Sequence, residues 1–561
     1  MKRSWIYAAA LGLVCLLVLR ASWAMTYATF GRDPGIFQYV AWALSQGERA
    51  YVDFREINGP LPHLIHWAFL GLGGADEHRF RVLDVLLGSA VFLFVGRTLV
   101  ASLLPPSLAR RGPVWACTVG TWAVLMGQYL SFGWWQTAQR ESFYDLFLLA
   151  SLGFQSLATR DAGDAGEGER RAGWKAAGWL ALAGLASSAT WFGKPPCLVF
   201  TFLQIVALYM LPSPLSRRVR LLPFLGGVAV VGAYFAWFLH RYGDFRAAFT
   251  ILVLENPRLY RFIWKRSLLD ACVAWGNLPR LIASVSTVVL LGYLLWARRI
   301  ARRALLLLVL PVGGLALFFV QSKGFPYHLH PVCAGVYLAW VALVADTRWL
   351  RTFGPWVVVH RRYVASALFA ALGTLIVVHA LDNEYVGRSS ATEFTSQASR
   401  QERAYFKRFP WGDFFAWDLR EAARYVQQET APTDRVQTYG MDPYFLYLAQ
   451  RLSATPYIYS FELNVDAALQ GGSGGSPDDA ERTWLKDTAA RNETAMLAAL
   501  EARPPAAFVF FDKVPFTQPA DGRADFERHC PTAYAWVVAH FAPSKDFGTA
   551  HVWLRKRPPA Q

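Results

Sequence analysis

Four short polar clusters interrupt an otherwise apolar chain: Gly-Arg-Asp-Pro-Gly around Asp33, the pair Arg140-Glu141, Gly-Lys-Pro-Pro around Lys194, and Ser-Lys-Gly-Phe-Pro-Tyr-His-Leu-His with Lys323, Tyr327, His328 and His330. Cations at Arg140, Lys194 and Lys323 could neutralise a phosphate, with Tyr327 and His328 as further donors. Acids at Asp33 and Glu141 could take a proton from a hydroxyl or bind it. Each cluster also has a plainer reading. Asp33 could cap a helix, Arg140-Glu141 could be a surface ion pair of little worth, Lys194 could be a snorkelling anchor, and the 322–331 turn could be part of an interfacial belt. The density of donors in that last turn exceeds what a belt needs. His328 and His330, two residues apart, could chelate on a strand or turn, but nothing else in the sequence indicates a divalent metal, and no cofactor is expected. The six cysteines are scattered singly without a Cys-x-x-Cys, so neither a zinc site nor a disulfide framework is indicated.

The elements that must position these clusters are membrane helices. Of 561 residues 54% are hydrophobic and only 17% charged, with mean hydropathy +0.24. Apolar runs of roughly 17–22 residues, long enough to cross a bilayer as helices, recur up to residue 381 and then thin out. About eleven spans are expected by this criterion, near 5–24, 81–104, 113–131, 141–158, 176–193, 195–211, 221–240, 279–297, 304–320, 327–345 and 363–381. The net charge of +16 could mark a nucleic-acid binder, but the arginines sit in short loops between apolar runs, as topology-setting charges do. Lys2 and Arg3, Arg110 and Arg111, Arg160 with Arg170, Arg171 and Lys175, Arg217 to Arg220, Arg298 to Arg303, and Arg348 to Arg362 fall in every second loop. That pattern predicts a cytoplasmic N-terminus, with the start of the chain a retained signal anchor.

All four clusters then lie on the outer side, where none is needed for orientation. Within the first outer loop, 25–80, Ile36, Tyr39, Val40, Ala43 and Leu44 recur at helical spacing, and Pro-Leu-Pro-His-Leu-Ile-His-Trp follows. Two helices lying in the interface plane are expected there, and Asp53, Arg55 and Glu56 read equally as solvated loop or as part of a site. Residues 382–561 alternate helical patterns at 413–429 and 477–502 with strand-like runs at 435–440, 506–512, 533–541 and 550–556. They predict a small soluble α/β domain outside the membrane, with Gly-Gly-Ser-Gly-Gly-Ser-Pro at 471–477 a flexible loop. The fold class expected is thus a polytopic α-helical membrane protein, 1–381, with a C-terminal α/β domain, 382–561.

Cations and acids gathered at an outer membrane surface point to a lipid-phosphate substrate. In their order along the chain, the acid after the first span, the Ala-Tyr-Val-Asp-Phe…Asn-Gly-Pro-Leu-Pro-His segment, Arg140-Glu141 opening the fourth span, and Ser-Lys-Gly-Phe-Pro-Tyr-His-Leu-His-Pro at 322–331 resemble the GT-C superfamily of membrane glycosyltransferases. The branch resembled is that of the protein O-mannosyltransferases and lipid A aminoarabinose transferases. The resemblance implies transfer of a sugar from a polyprenyl-phosphate donor to a lipid, glycan or protein acceptor at the outer face of a bacterial cytoplasmic membrane. It also implies Asp33 as the catalytic base, and Lys323 and Tyr327, ahead of Pro331, near the donor phosphate. Glu141 would hold acceptor or sugar hydroxyls, and Arg140, Lys194 and His328 would stabilise the departing phosphate. Two departures stand out: the first-loop pair is Arg32-Asp33 rather than Asp-Glu, and Glu56-Ile57-Asn58-Gly59-Pro60 stands where the aminoarabinose branch has Glu-Lys-Pro-Pro. A lipid-carrier transporter or flippase and a non-catalytic membrane scaffold are the competing classes. A transporter would show ionisable residues at mid-membrane and a repeat between halves, and neither is visible.

Overall fold

The computed structural model describes residues 4–159, 169–354, 357, 359–381, 399–409 and 411–556. Lys2, Arg3 and Arg160 of the loop-charge pattern, and the expected start of the outer domain at 382–398, lie outside the described residues. Among those described, six helices are long and apolar enough to cross a membrane: Trp5–Met25, Glu77–Leu103, Leu221–Tyr242, Leu268–Trp296, Arg302–Gln321 and Pro326–Ala345. The other five expected spans also fall on helices, Arg111–Ser131, Arg140–Ala158, Glu169–Gly193, Leu198–Met210 and Arg361–Leu381. Leu198–Met210 has only 13 residues, and Arg140–Ala158 carries Arg140, Glu141 and Asp145.

The chain forms two compact units: Met1–Ala28 with Asp76–Tyr234 and Ala271–Glu393, and Thr29–Ala75 with Phe235–Asp270 and Phe394–Gln561. In the first unit, helices meet through small residues. A Cβ on Gly184 would overlap the Phe224 carbonyl, and one on Gly227 would overlap the Ala181 carbonyl, so the backbones of two helices touch where neither has a side chain. Close backbone approach of this kind is how apolar helices gain packing energy where lipid removes the hydrophobic drive. Arg220, one of the loop arginines, is buried and donates to the carbonyls of Leu211, at 2.6 Å, and Leu208, satisfying the open C-terminal end of the Leu198–Met210 helix.

The second unit joins the first outer loop to the C-terminal segment. Its sheet has the order β1-β2-β4-β3, with β1 Val436–Tyr439 parallel to β2 Ala507–Phe511, and β2 and β3 Phe541–Phe547 each antiparallel to β4 Ala550–Arg555. β2 is buried throughout, and Phe508 and Phe510 pack with Met496, Leu500, Phe526 and Val537 from the covering helices. β3 is exposed along most of its length and carries Pro543 and Lys545, residues that discourage a further strand from pairing at an open edge.

Two sequence expectations are corrected here. The run 533–541 is not a strand: Pro531–His540 is a helix, opened by Pro531 in its first turn and burying Ala533 and Val537 at i and i+4. A short apolar run does not separate strand from buried helix by periodicity, and the strand begins one residue later, at Phe541. The Gly-Gly-Ser-Gly-Gly segment is not a free loop. Gly474 N–H donates to the Lys265 carbonyl at 3.1 Å and Ser267 N–H to Ser473 Oγ at 3.1 Å. A Cβ on Gly472 or Gly474 would overlap the carbonyl of Lys265 or Arg266. The glycines serve close backbone approach there.

Candidate functional site

In the first unit, a loop ahead of the Arg140–Ala158 helix is held from below. The buried Arg81 donates to the Trp134 carbonyl at 3.0 Å and to Thr137 Oγ1 at 2.9 Å. Tyr129 accepts from Ala138 N–H at 2.8 Å and donates to Asp84 Oδ2 at 2.5 Å. Ala138 sits at φ 56°, a conformation that an L-residue keeps only when its surroundings impose it. The helix that follows opens with Arg140 and Glu141, the acid lying where the helix dipole favours it.

Glu141 is the centre of the cluster. Its Oε1 accepts from Lys194 Nζ at 2.6 Å and from Arg140 Nη2 at 2.8 Å; its side chain is 2% exposed, against 12% and 18% for the two cations. Its Oε2 is buried and has no hydrogen-bond partner among the described residues. Lys194 follows the Glu169–Gly193 helix in an extended conformation, before the tight Pro195–Cys197 turn. A Cβ on Gly193 would overlap the Tyr144 hydroxyl, so a larger residue before the lysine would have to displace the Tyr144 ring.

The 322–331 turn brings the remaining donors. Ser322 and Gly324 take positive φ, 50° and 67°, and Asn277 Nδ2 donates to the Gly324 carbonyl at 2.7 Å. Lys323 and His328 are buried, Phe325 stacks on Tyr327 at 5.4 Å, and Tyr327 meets the His328 ring edge-on at 4.6 Å. The charges of Lys194, Glu141, Arg140 and Lys323 all act on His328, and Tyr327 interacts with Arg140. His328 Nδ1 is buried without a hydrogen-bond partner among the described residues. Arg140, Glu141, Lys194, Lys323, Tyr327 and His328 are thus brought together. Two further groups adjoin them. Asp145, one turn after Glu141, was passed over in the sequence, although a second acid four residues on in an apolar helix is a readable signal. Its Oδ2 is 3.7 Å from His330 Nδ1. His330 commits Nε2 to the Gln136 carbonyl at 2.9 Å and stacks on Phe132 at 3.7 Å.

Asp33 belongs to the second unit. It is not an N-cap: Gly31 holds that position, and Asp33 is in the first turn of the Arg32–Ser45 helix. Only Asp33, Trp42 and Ser45 of that helix escape full burial, so an acid is left at the helix's accessible start. Of the two readings of the 53–56 segment, solvated loop does not hold for Arg55 and Glu56. Arg55 lies between Glu462 and Glu255, 2.6 Å from each. Glu56 is 1% exposed; it accepts from Asn58 N–H at 2.8 Å, Asn58 Nδ2 at 2.6 Å and Tyr459 hydroxyl at 2.6 Å, with His63 Nε2 at 3.7 Å. Burial alone would raise the Glu56 carboxyl, but His63, Tyr459 and Asn58 together hold it below its ordinary value. Burial, then Glu56, pushes the Tyr459 phenol well up, and the Asp33 charge adds to the shift. Asp53, 24% exposed, is closest to solvated loop, though its Oδ2 accepts from Arg49 N–H at 2.9 Å. No group of three His, Cys, Asp or Glu side chains is arranged to hold a metal ion among the described residues.

No family model matches the sequence, and no curated protein matches it. Among solved structures, the chain is similar to ArnT from Cupriavidus metallidurans in the apo state, with 14% identity over 97% of this chain and 98% of that one and a TM-score of 0.50. It is similar also to the same ArnT bound to undecaprenyl phosphate, with 14% identity over 99% and 98% and a TM-score of 0.48. A third likeness is to the oligosaccharyltransferase of Archaeoglobus fulgidus in the apo form, with 12% identity over 91% and 70% and a TM-score of 0.46. The likeness to apo ArnT is one of fold.

Proposed function

We propose that the chain is an integral-membrane glycosyltransferase that moves a sugar from a polyprenyl-phosphate donor to a lipid, glycan or protein acceptor. In this reading it crosses a bacterial cytoplasmic membrane about eleven times, with the N-terminus inside and the sheet domain outside. The observation that carries the reading is the shared Glu141 oxygen: two cations converge on one buried acid, with Lys323, Tyr327 and His328 beside them. More positive than negative charge, preassembled and largely out of water, suits a phosphate that gains charge as it leaves. Glu141 holds the cations in place through Oε1, and its unpartnered Oε2 is an acceptor for a sugar hydroxyl.

The reaction is a displacement. The acceptor oxygen bonds to the anomeric carbon, the bond from that carbon to the phosphate oxygen breaks, and the polyprenyl phosphate departs with the electron pair. Asp33 takes the acceptor's proton. The test uses cells lacking the chromosomal gene and expressing either wild type or Asp33→Asn, with mass analysis of surface lipids, polysaccharide and glycoproteins. A one-sugar mass difference is expected, and a fall in transfer on the order of 10²–10⁴-fold for the purified variant. Full transfer by purified Asp33→Asn overturns the assignment.

A further inference from the structure

Asp33 sits in the turn opened by Arg32, and Arg32 is tethered through three of its guanidinium nitrogens. It is 6% exposed. Its Nε donates to Asp442 Oδ1 at 2.8 Å, its Nη1 to Asp413 Oδ1 at 3.0 Å, and its Nη2 to the Asp413 carbonyl. The guanidinium lies 5.5 Å over the Phe414 ring. Both carboxylates belong to the C-terminal segment, some four hundred residues away in sequence but in the same compact unit. The helix is seated on that segment elsewhere too. A Cβ on Gly35 would collide with the Tyr444 side chain, and Tyr39 hydroxyl accepts from Ser453 N–H at 3.0 Å.

We infer that Arg32 is a positioning residue, which fixes the Asp33 turn to Asp413 and Asp442, and that the sheet-bearing C-terminal segment is the mount on which the first-loop acid is held. The inference rests on the proposed role of Asp33 and goes beyond it by giving the C-terminal segment a task in the reaction. The physical ground is geometric. A guanidinium fork gripped by two carboxylates and a carbonyl fixes direction as well as distance, and a first turn gripped in this way cannot tilt. A displacement of about 1 Å at a reacting group costs on the order of 10²-fold in rate. Arginine and lysine are not equivalent in such a fork. The departure of this chain from an acidic pair to Arg32-Asp33 then has a reason, since the first position of the pair is a tether rather than a second acid.

The test compares full-length Arg32→Lys and Asp442→Asn with wild type and Asp33→Asn, using three measurements: hydrogen exchange of the 32–45 helix, binding of undecaprenyl phosphate, and sugar transfer. Asp442→Asn keeps an oxygen for Arg32 Nε, and Arg32→Lys keeps one charge, so both leave the core packed. In both, exchange in the first turn should rise on the order of tenfold, transfer should fall roughly 10–100-fold in kcat, and undecaprenyl phosphate binding should stay within about twofold. Arg32→Met should exceed Arg32→Lys in both losses. Unchanged exchange at the first turn in both variants, or unchanged kcat where Asp33→Asn is inactive, overturns the inference. Faster exchange together with full activity in Asp33→Asn keeps the mount and removes Asp33 from catalysis.

Discussion

Glu141 in one unit holds two cations on a single carboxylate oxygen, whereas in the other unit Arg55 lies between Glu255 and Glu462, and Arg32 between Asp413 and Asp442. The residue types are the same and the stoichiometry is inverted. Two cations share one carboxylate oxygen there, and a third, Lys323, is close by. A guanidinium between two acids has its charge matched from two sides, and what it supplies is geometry. Counting charges in a cluster therefore separates a binding group from a tether more surely than identifying them.

That contrast can be broken by removing acids. Glu141→Leu takes away the carboxylate that Arg140 and Lys194 share, leaving two partly buried cations without it. A cost of about 3–5 kcal/mol is expected, read as lower resistance to heat in detergent. Melting equal to wild type would mean the pair is screened and the stoichiometric distinction is wrong. Glu255→Gln should be much milder, about 1 kcal/mol, because Glu462 remains 2.6 Å from Arg55. If Glu255→Gln were as damaging as Glu141→Leu, the doubled acids would not be redundant.

The smallest effect tests a charge-pairing motif outside both clusters. His551 bridges Asp546, at 2.8 Å, and Asp512, at 2.9 Å, tying three strands of the sheet or their ends. Burial lowers its pKa, but the hydrogen bonds it donates to Asp512 and Asp546 raise it more, above its ordinary value. A raised folded value means the imidazolium stabilises the fold fully below about pH 6.5, and the contribution fades as pH rises through the higher folded value. His551→Gln should cost about 0.5 kcal/mol at acidic pH and less at alkaline pH, measured by urea unfolding of the full chain at both. An equal cost at the two pH values would show that the pair carries no titrating stability.

The candidate site was partly legible. Arg140, Lys194, Lys323, Tyr327 and His328 could be picked out because polar groups at the ends of apolar runs cost free energy unless they have a task, and that cost is visible in a linear pattern. Asp33 could be picked out for the same reason, and the helix that carries it was visible from the spacing of Ile36, Tyr39, Val40 and Leu44. The burial of Glu56 was not legible because its partner Tyr459 lies 403 residues on, and no local pattern reports such a contact. In the sheet, β1, β2 and β4 were legible as runs of β-branched and aromatic residues. The helix at 531–540 was not, because Ala, Val, Trp and Tyr suit either state when buried.

By itself the sequence determined that the chain is a bundle of apolar helices with a sheet-bearing tail, and where its chemistry-bearing residues cluster, since hydropathy runs, turn residues and charge placement are local properties. Only the tertiary structure decided which charges are paired. Whether Arg32 neutralises Asp33 or grips Asp413 and Asp442 depends on segments 381 and 410 residues apart meeting in one unit, and an ion pair acts over a few ångströms in space whatever the distance along the chain.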